Sequence, residues 1–206
     1  VITGPIEYAG GKISPRVVQE IVQNIGDDSD RLPILQHALM RTYDVWKAAN
    51  VAGDPIDIKH LKEVGGLEMA LSKHADEAYH DLDHDGRIRI EQVLKCLTVK
   101  TADNRGVRRP MTLQALAAVT QNSEEAILKC LEPFRKAGRT FILPGLDEKV
   151  NSQTIFDISH ESLMRGWIRL RDWTDEEMES SAIYNRICDA AILHKRGEAA
   201  LWRDPE

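Results

Sequence analysis

The chain has 206 residues, 42% hydrophobic and 29% charged, an ordinary composition for a globular protein. That length buries a real core as one large domain or two small ones, and the net charge of −6 argues against a general binder of nucleic acid or anionic membranes, which favour basic surfaces. No apolar run approaches the roughly 18 residues of a membrane span, and no signal peptide opens the chain.

Cys96, Cys130 and Cys188 are odd in number and far apart, which suits neither a disulfide framework nor a zinc site. A cytoplasmic protein with reduced, structural thiols is expected. The opening VITGP, without an initiator methionine, and the closing LWRDPE read as an excised piece of a longer protein.

Taken in order, SPRVVQEIVQNIG predicts a helix from Ser14, with Pro15 at its first position and Gly26 just past its end. Val17, Val18, Ile21, Val22 and Ile25 form its apolar face. DSDRLPILQHALMRTYDVWKAAN predicts a longer helix that tolerates Pro33 in its first turn, where the missing N–H has no intrahelical partner. Leu35, Leu39, Thr42, Tyr43 and Trp46 make its stripe. A short helix capped by Asp57 and ended by Gly65-Gly66 follows, then the amphipathic helix LEMALSKHADEAYHDL.

After a polar break at DHDGR the pattern changes. IRIEQVLKCLTV reads as helix, RGVRRP as loop, MTLQALAAVTQ as short helix, and SEEAILKCLEPFRKAG as a helix capped by Ser123. RTFILPG and QTIFDIS read as two short strands around the polar loop LDEKVN, and a long helical run extends from Ser159 to about Arg196, with a break placed near Thr174. Three helices followed by a hairpin is the order of a winged helix-turn-helix. The expected fold class is therefore mainly α: a helical lid domain over 1–83, a winged-helix domain over 84–175, and a helical tail over 176–206.

Four segments invite a chemical reading. DLDHDGRIRIEQ imitates a calcium loop, with Asp81, Asp83, Asp85 and Gly86 in place, but Glu91 falls one residue before the position of the bidentate glutamate. One residue is about 100° of helix rotation, so a polar loop capping the next helix is the simpler reading. GPIEYAGGKIS lacks the glycine, at Ile6, and the Ser or Thr, at Ile13, of a phosphate loop. The chain by itself is thus expected not to be an enzyme. Arg105, Arg108, Arg109, Arg135, Lys136 and Arg139 raise DNA binding by the winged helix. Glu124 and Glu125 open the would-be recognition helix, however, and would repel phosphates.

The fourth segment is FDISHESLMRGW. Met164 stands where a zinc-protease motif needs its second histidine, and no nucleophile elbow is present. Ser159 is a suitable N-cap, which would make His160 and Glu161 the first helical residues, with Leu163, Trp167, Leu170 and Thr174 or Trp173 on the buried side. A histidine at a helix N-terminus either only caps its neighbours, the simpler alternative, or contacts a phosphate beside free N–H groups.

RLPILQHALMRTYDVW, GGLEMALSKHADEAY, RRPMTLQAL and FDISHESLMRGWIRLRDWTDEE, in this order, resemble the region that follows the nucleotide-binding core in bacterial STAND-class signalling NTPases, of the NACHT-like kind. The branch is the novel STAND one often fused to WD repeats. The resemblance covers nearly the whole chain and weakens after about Ser180. It implies a helical lid and a winged-helix domain that clamp ADP against an upstream phosphate-loop domain, with exchange for ATP driving homo-oligomerisation. It implies that RLPIL places Pro33 against the nucleotide, with Arg31 where plant and animal relatives usually have glycine. It also implies that SHESL makes His160 the β-phosphate contact and Glu161 its acidic neighbour. ADP or ATP with Mg would be bound mostly by the upstream core, with no cofactor on this piece alone and no metal ligand among its residues. The implied partners are that upstream core, a downstream repeat or sensor domain, and further copies of the protein, with no membrane and no DNA. The alternative is a winged-helix transcription regulator that contacts DNA through Arg108 and Arg109; a calcium sensor is a third.

Overall fold

The computed structural model describes residues 2–25, 31–49, 53–100 and 106–197. It is mainly helical, with small antiparallel sheets. The chain opens with α1 (Thr3–Tyr8), a short helix that sequence periodicity did not announce, and α2 (Pro15–Ile25). Val17 and Ile21 of α2 are fully buried, whereas Val22, expected on the same face, is 60% exposed. The apolar stripe is wider than the surface available to cover it. Gly26 and the segment before Arg31 lie outside the described residues.

Helix α3 (Leu32–Ala49) carries Pro33 in its first turn and buries Leu35, Ala38 and Thr42. Helix α4 (Ile58–Glu63) is capped as expected: Ile58 N–H donates to Asp57 Oδ1 at 2.8 Å, and Asp57 N–H donates to His60 Nδ1 at 3.0 Å. Ser14 Oγ also donates to Asp57 Oδ1 at 3.0 Å, tying the start of α2 to the start of α4. Gly65 and Gly66 both hold positive φ, 98° and 69°, a conformation that costs glycine little. The turn they make launches α5 (Gly66–His80).

A first cluster packs Val17, Ile21, Leu35, Ala38, Leu61, Val64 and Ala70 together. The next residue, Leu71, begins a second and larger cluster, which continues with Ala75 and Ala78 and runs through to Trp173. Helix α5 therefore serves both.

Helix α6 (His84–Cys96) begins inside DHDGR, so the expected polar break is a helix start. Asp83 Oδ1 accepts from Gly86 N–H at 2.7 Å. A Cβ on Gly86 would lie 2.9 Å from that same oxygen, so the glycine makes room for the cap. Asp85 pairs with Arg89, Asp81 with Arg139 and Glu91 with Lys95. These residues belong to a helix and its ion pairs, and a twelve-residue calcium loop does not form.

The expected helix through Leu97-Thr98-Val99 ends at Cys96, and the expected RGVRRP loop is partly strand. β1 (Thr98–Lys100) pairs antiparallel with β2 (Gly106–Arg108). β3 (Met111–Thr112) leads into α7 (Leu113–Thr120), capped by Thr112, and Ser123 caps α8 (Glu124–Arg135). The two strands expected next are present: β4 (Ile142–Leu143) and β5 (Ile155–Ile158) are antiparallel, and β5 lies centrally in the order β3-β5-β4. Helices α6, α7 and α8 pack on one another around Ile90, Leu94, Leu116, Ile127 and Leu131, all fully buried.

The final helical run is broken seven residues before Thr174. α9 (Ser162–Gly166) and α10 (Ile168–Lys195) meet at Trp167, whose φ of −88° and ψ of 107° are extended. Trp167 is fully buried, its indole N–H donates to Asp76 Oδ1 at 2.9 Å, and the Ile168 N–H freed by the break donates to Ser72 Oγ at 3.3 Å. Helix α5 thus supplies both acceptors that the break requires. No helix among the described residues is long and apolar enough to cross a membrane.

Candidate functional site

The segment that joins β5 to α9 differs in detail from the sequence expectation. Ser159 does not cap a helix; its N–H donates to Phe141 O at 2.9 Å and prolongs the strand. The helix starts three residues later, at Ser162, and Glu161 in the cap position makes no side-chain cap. The histidine takes that role instead. His160 Nδ1 accepts from Ser162 N–H at 3.1 Å and lies 3.1 Å from Ser162 Oγ, while the His160 carbonyl accepts from Leu163 N–H at 3.1 Å.

This geometry assigns the tautomer. An Nδ1 that accepts from an amide carries no proton, so the ring proton sits on Nε2. His160 is exposed, and Nε2 finds no partner among the described residues. The site therefore presents one oriented N–H donor, held by its own helix start.

Glu161 is turned along the helix toward Arg165, 3.4 Å away. Buried behind both lie Leu163, Trp167, Leu170, Trp173 and Thr174, all five of the positions expected there. The dipole argument is weaker than expected, because α9 has 5 residues rather than the long helix expected from Ser159.

Pro33 is half-buried in the first turn of α3, after Arg31, which donates to Asn24 O at 2.9 Å. No hydrogen bond or ion pair joins Pro33 to His160 or Glu161 among the described residues. Between their helices lies a cavity of about 450 Å³, lined by Ile34 and Leu35 after the proline, Arg165 and Gly166 of α9, and Arg171 and Glu68 among others. Its arginines could not have been grouped from the sequence, since they come from helices far apart in the chain.

A second feature escaped sequence reading. His37 of α3 and His74 of α5 face each other, Nδ1 of His74 lying 3.1 Å from Nε2 of His37, and both rings pack against Phe141. Burial, and then the nearby Arg41 guanidinium, lowers their pKa values to about 4 for His37 and about 3 for His74.

Of the basic residues that raised DNA binding, Arg108, Arg135 and Arg139 are engaged within the fold, whereas Arg109 and Lys136 are exposed. Arg108 Nη1 pairs with Asp157 at 2.7 Å, and Arg139 Nη1 with Asp81 at 2.6 Å. Arg135 is 4% exposed and donates to the carbonyls of Pro144 and Gly145. Glu124, at the start of α8, accepts from Ser152 Oγ at 2.7 Å. Arg105 lies outside the described residues. No group of metal-binding side chains occurs among the described residues.

The family model described as Novel STAND NTPase 1 matches residues 1–200. No curated protein and no solved structure matches the chain.

Proposed function

The chain belongs to the novel STAND NTPase 1 family, and from that membership we propose that it is the regulatory half of a STAND-type signalling ATPase. In this reading residues 1–83 form the lid, 84–175 a winged helix, and 176–206 the connection to a downstream repeat or sensor domain. Together they read the ADP or ATP held by an upstream phosphate-loop core and control a switch from an autoinhibited to an oligomeric state. The observation that carries the proposal is the fixed Nε2–H donor of His160. The order α6, α7, α8, β4, β5, with the β1–β2 pair and β3 between α6 and α7 and the sheet order β3-β5-β4, supports the winged-helix assignment. The DNA-binding alternative is disfavoured, because Arg108 and Arg135 make bonds within the domain and Arg139 ties it to Asp81 of the lid.

The donor fits a phosphate oxygen. Nδ1 is satisfied by Ser162, so the ring is oriented before any ligand arrives, and little conformational freedom is lost on binding. A bound ADP, with Mg held by the core, would supply the negative charge that links the core to the winged helix through His160. Pro33 offers a rigid apolar surface to the base. Glu161, restrained by Arg165, keeps its carboxylate directed along α9. His160 contacts the closed state and not the open one, and only such a difference shifts the populations.

The test is His160→Ala in the protein that joins this chain to its phosphate-loop core. A hydrogen bond to a charged phosphate is worth about 1.5–3 kcal/mol, roughly ten- to a hundredfold in the equilibrium. Co-purifying ADP should fall and basal oligomer should rise by that order. Unchanged nucleotide content together with a monomeric variant would overturn the proposal.

A further inference from the structure

Helix α10 lies against the body as far as Ser181, where Glu177, Met178 and Ser181 face Lys95 and Arg109 across a shallow cavity, and beyond that it leaves the body of the protein. From Glu176 to Lys195 its residues are exposed, apart from the half-buried Cys188 and Ala190. Yet this segment is not a polar helix: Ile183 is 53% exposed, Tyr184 67%, Ile187 51% and Ile192 50%. Ser180, Ile183, Ile187, Ala191 and His194 follow one another at three- and four-residue steps and therefore share a face. A lone helix of this length is marginal in water unless an apolar face is covered.

The charges along the segment indicate what covers it. Its first part is acidic, with Asp175, Glu176, Glu177 and Glu179, and its last turn is basic, with His194, Lys195 and Arg196. Asp175 and Glu176 are paired with Lys100 and Lys95 of the body, while Glu177 and Glu179 are exposed. Glu177 and Lys195 are separated by 195 − 177 = 18 residues, about five whole turns, so they flank the apolar face on the same side. Midway between them lies Arg186, one residue before Ile187. A second copy of the helix, laid antiparallel across that midpoint, sets Glu177 of each copy against Lys195 of the other, twice per pair, and brings Ile187 to within about 3 Å of its own mate's level along the axis. In an antiparallel pair like flanks meet, so this register satisfies the apolar stripe and the charge segregation together. A parallel pair would bring opposite flanks together at the same level and set Glu177 near Glu179 of the other copy, acid against acid.

We propose that the projecting half of α10 is a self-association surface, on which a second copy of this chain docks antiparallel about Arg186, held by the Ile183–Ile187–Ala191 stripe and by reciprocal Glu177–Lys195 pairs. This pairing requires no nucleotide and stands apart from the reading of His160.

The test is sedimentation equilibrium of the 206-residue chain over a range of concentrations and salt. The expected result is a monomer–dimer equilibrium that weakens with salt. Ile187→Glu should raise the dimer dissociation constant by roughly a hundredfold, because two apolar side chains per dimer are exchanged for charges. The substitution lies outside both buried clusters, so unchanged circular dichroism and tryptophan fluorescence would show that the fold persists. Lys195→Glu should weaken the dimer, and Glu177→Lys in the same chain should restore it. A parallel pair would not show that restoration. A chain that stays monomeric throughout, a dimer indifferent to Ile187→Glu, or a charge exchange that fails to restore association would each overturn the proposal.

Discussion

His160 shows how a single side chain can be placed correctly in sequence and wrongly in local structure. The segment after β5 was legible as a helix start with a histidine in it, because strand composition gives way there to helical spacing. A capping imidazole was one of the two readings open for His160 in sequence; that Ser159 would not cap the helix was not legible. Ser159 keeps strand pairing with Phe141, and that pairing depends on a residue 18 positions earlier (159 − 141). The same lesson holds at Trp167, whose indole N–H is buried and depends on Asp76, as does Arg169, whose Nε lies 3.2 Å from the same oxygen. Asp76→Ala strands that N–H in the core and should cost about 1–3 kcal/mol of stability. Asp76→Asn keeps an acceptor and should cost less. Urea denaturation of the two variants checks the order, and equal losses would contradict the role assigned to the acceptor.

At the scale of elements, periodicity identified the long helices and the β4–β5 hairpin, because each carries its own pattern of burial. It missed β1 and β2, which are three residues long and exist only through each other. It also ran α9 and α10 together, since the apolar spacing of Leu163, Trp167 and Leu170 is continuous through the break. What interrupts the helix is α5. Gly166 lies so close to it that an added Cβ would sit 2.8 Å from Leu71 Cδ2. The join of α3, α5 and the strand entering β4 carries a pH dependence. His37 and His74 are held neutral at pKa values of about 4 and about 3, below their ordinary 6.5, whereas the unfolded chain takes up protons from about pH 6.5 downward. The unfolded state thus binds more protons in that window, and stability falls as pH drops from about 6.5 toward 4 and then 3. At pH 5 the loss should approach about 2 kcal/mol for each histidine. Unfolding free energies at pH 7.5 and pH 5 measure it, and His74→Phe should flatten the slope.

For the molecule as a whole, α5 is the element that two hydrophobic clusters share, Ala70 belonging to one and Leu71 to the other. A rigid helix common to both should couple their unfolding. Denaturation followed by far-UV circular dichroism and by tryptophan fluorescence should then give coincident, single transitions. Trp46 lies on the side of the first cluster, in α3, and Trp167 and Trp173 lie within the second. Two separated transitions would mean that α5 divides rather than joins them.

The sequence by itself determined the helical class, the strands of the hairpin, the capping of α4 and α8, and the motifs that resemble this family. These are properties of neighbouring residues, written in spacing and local hydrogen bonding. Tertiary structure alone decided where helices stop, which arginines meet around a cavity, that His37 and His74 touch, and that half of α10 stands clear of the body. Each of these depends on side chains far apart in the chain competing for the same space, and a linear pattern carries no record of which competitor prevails.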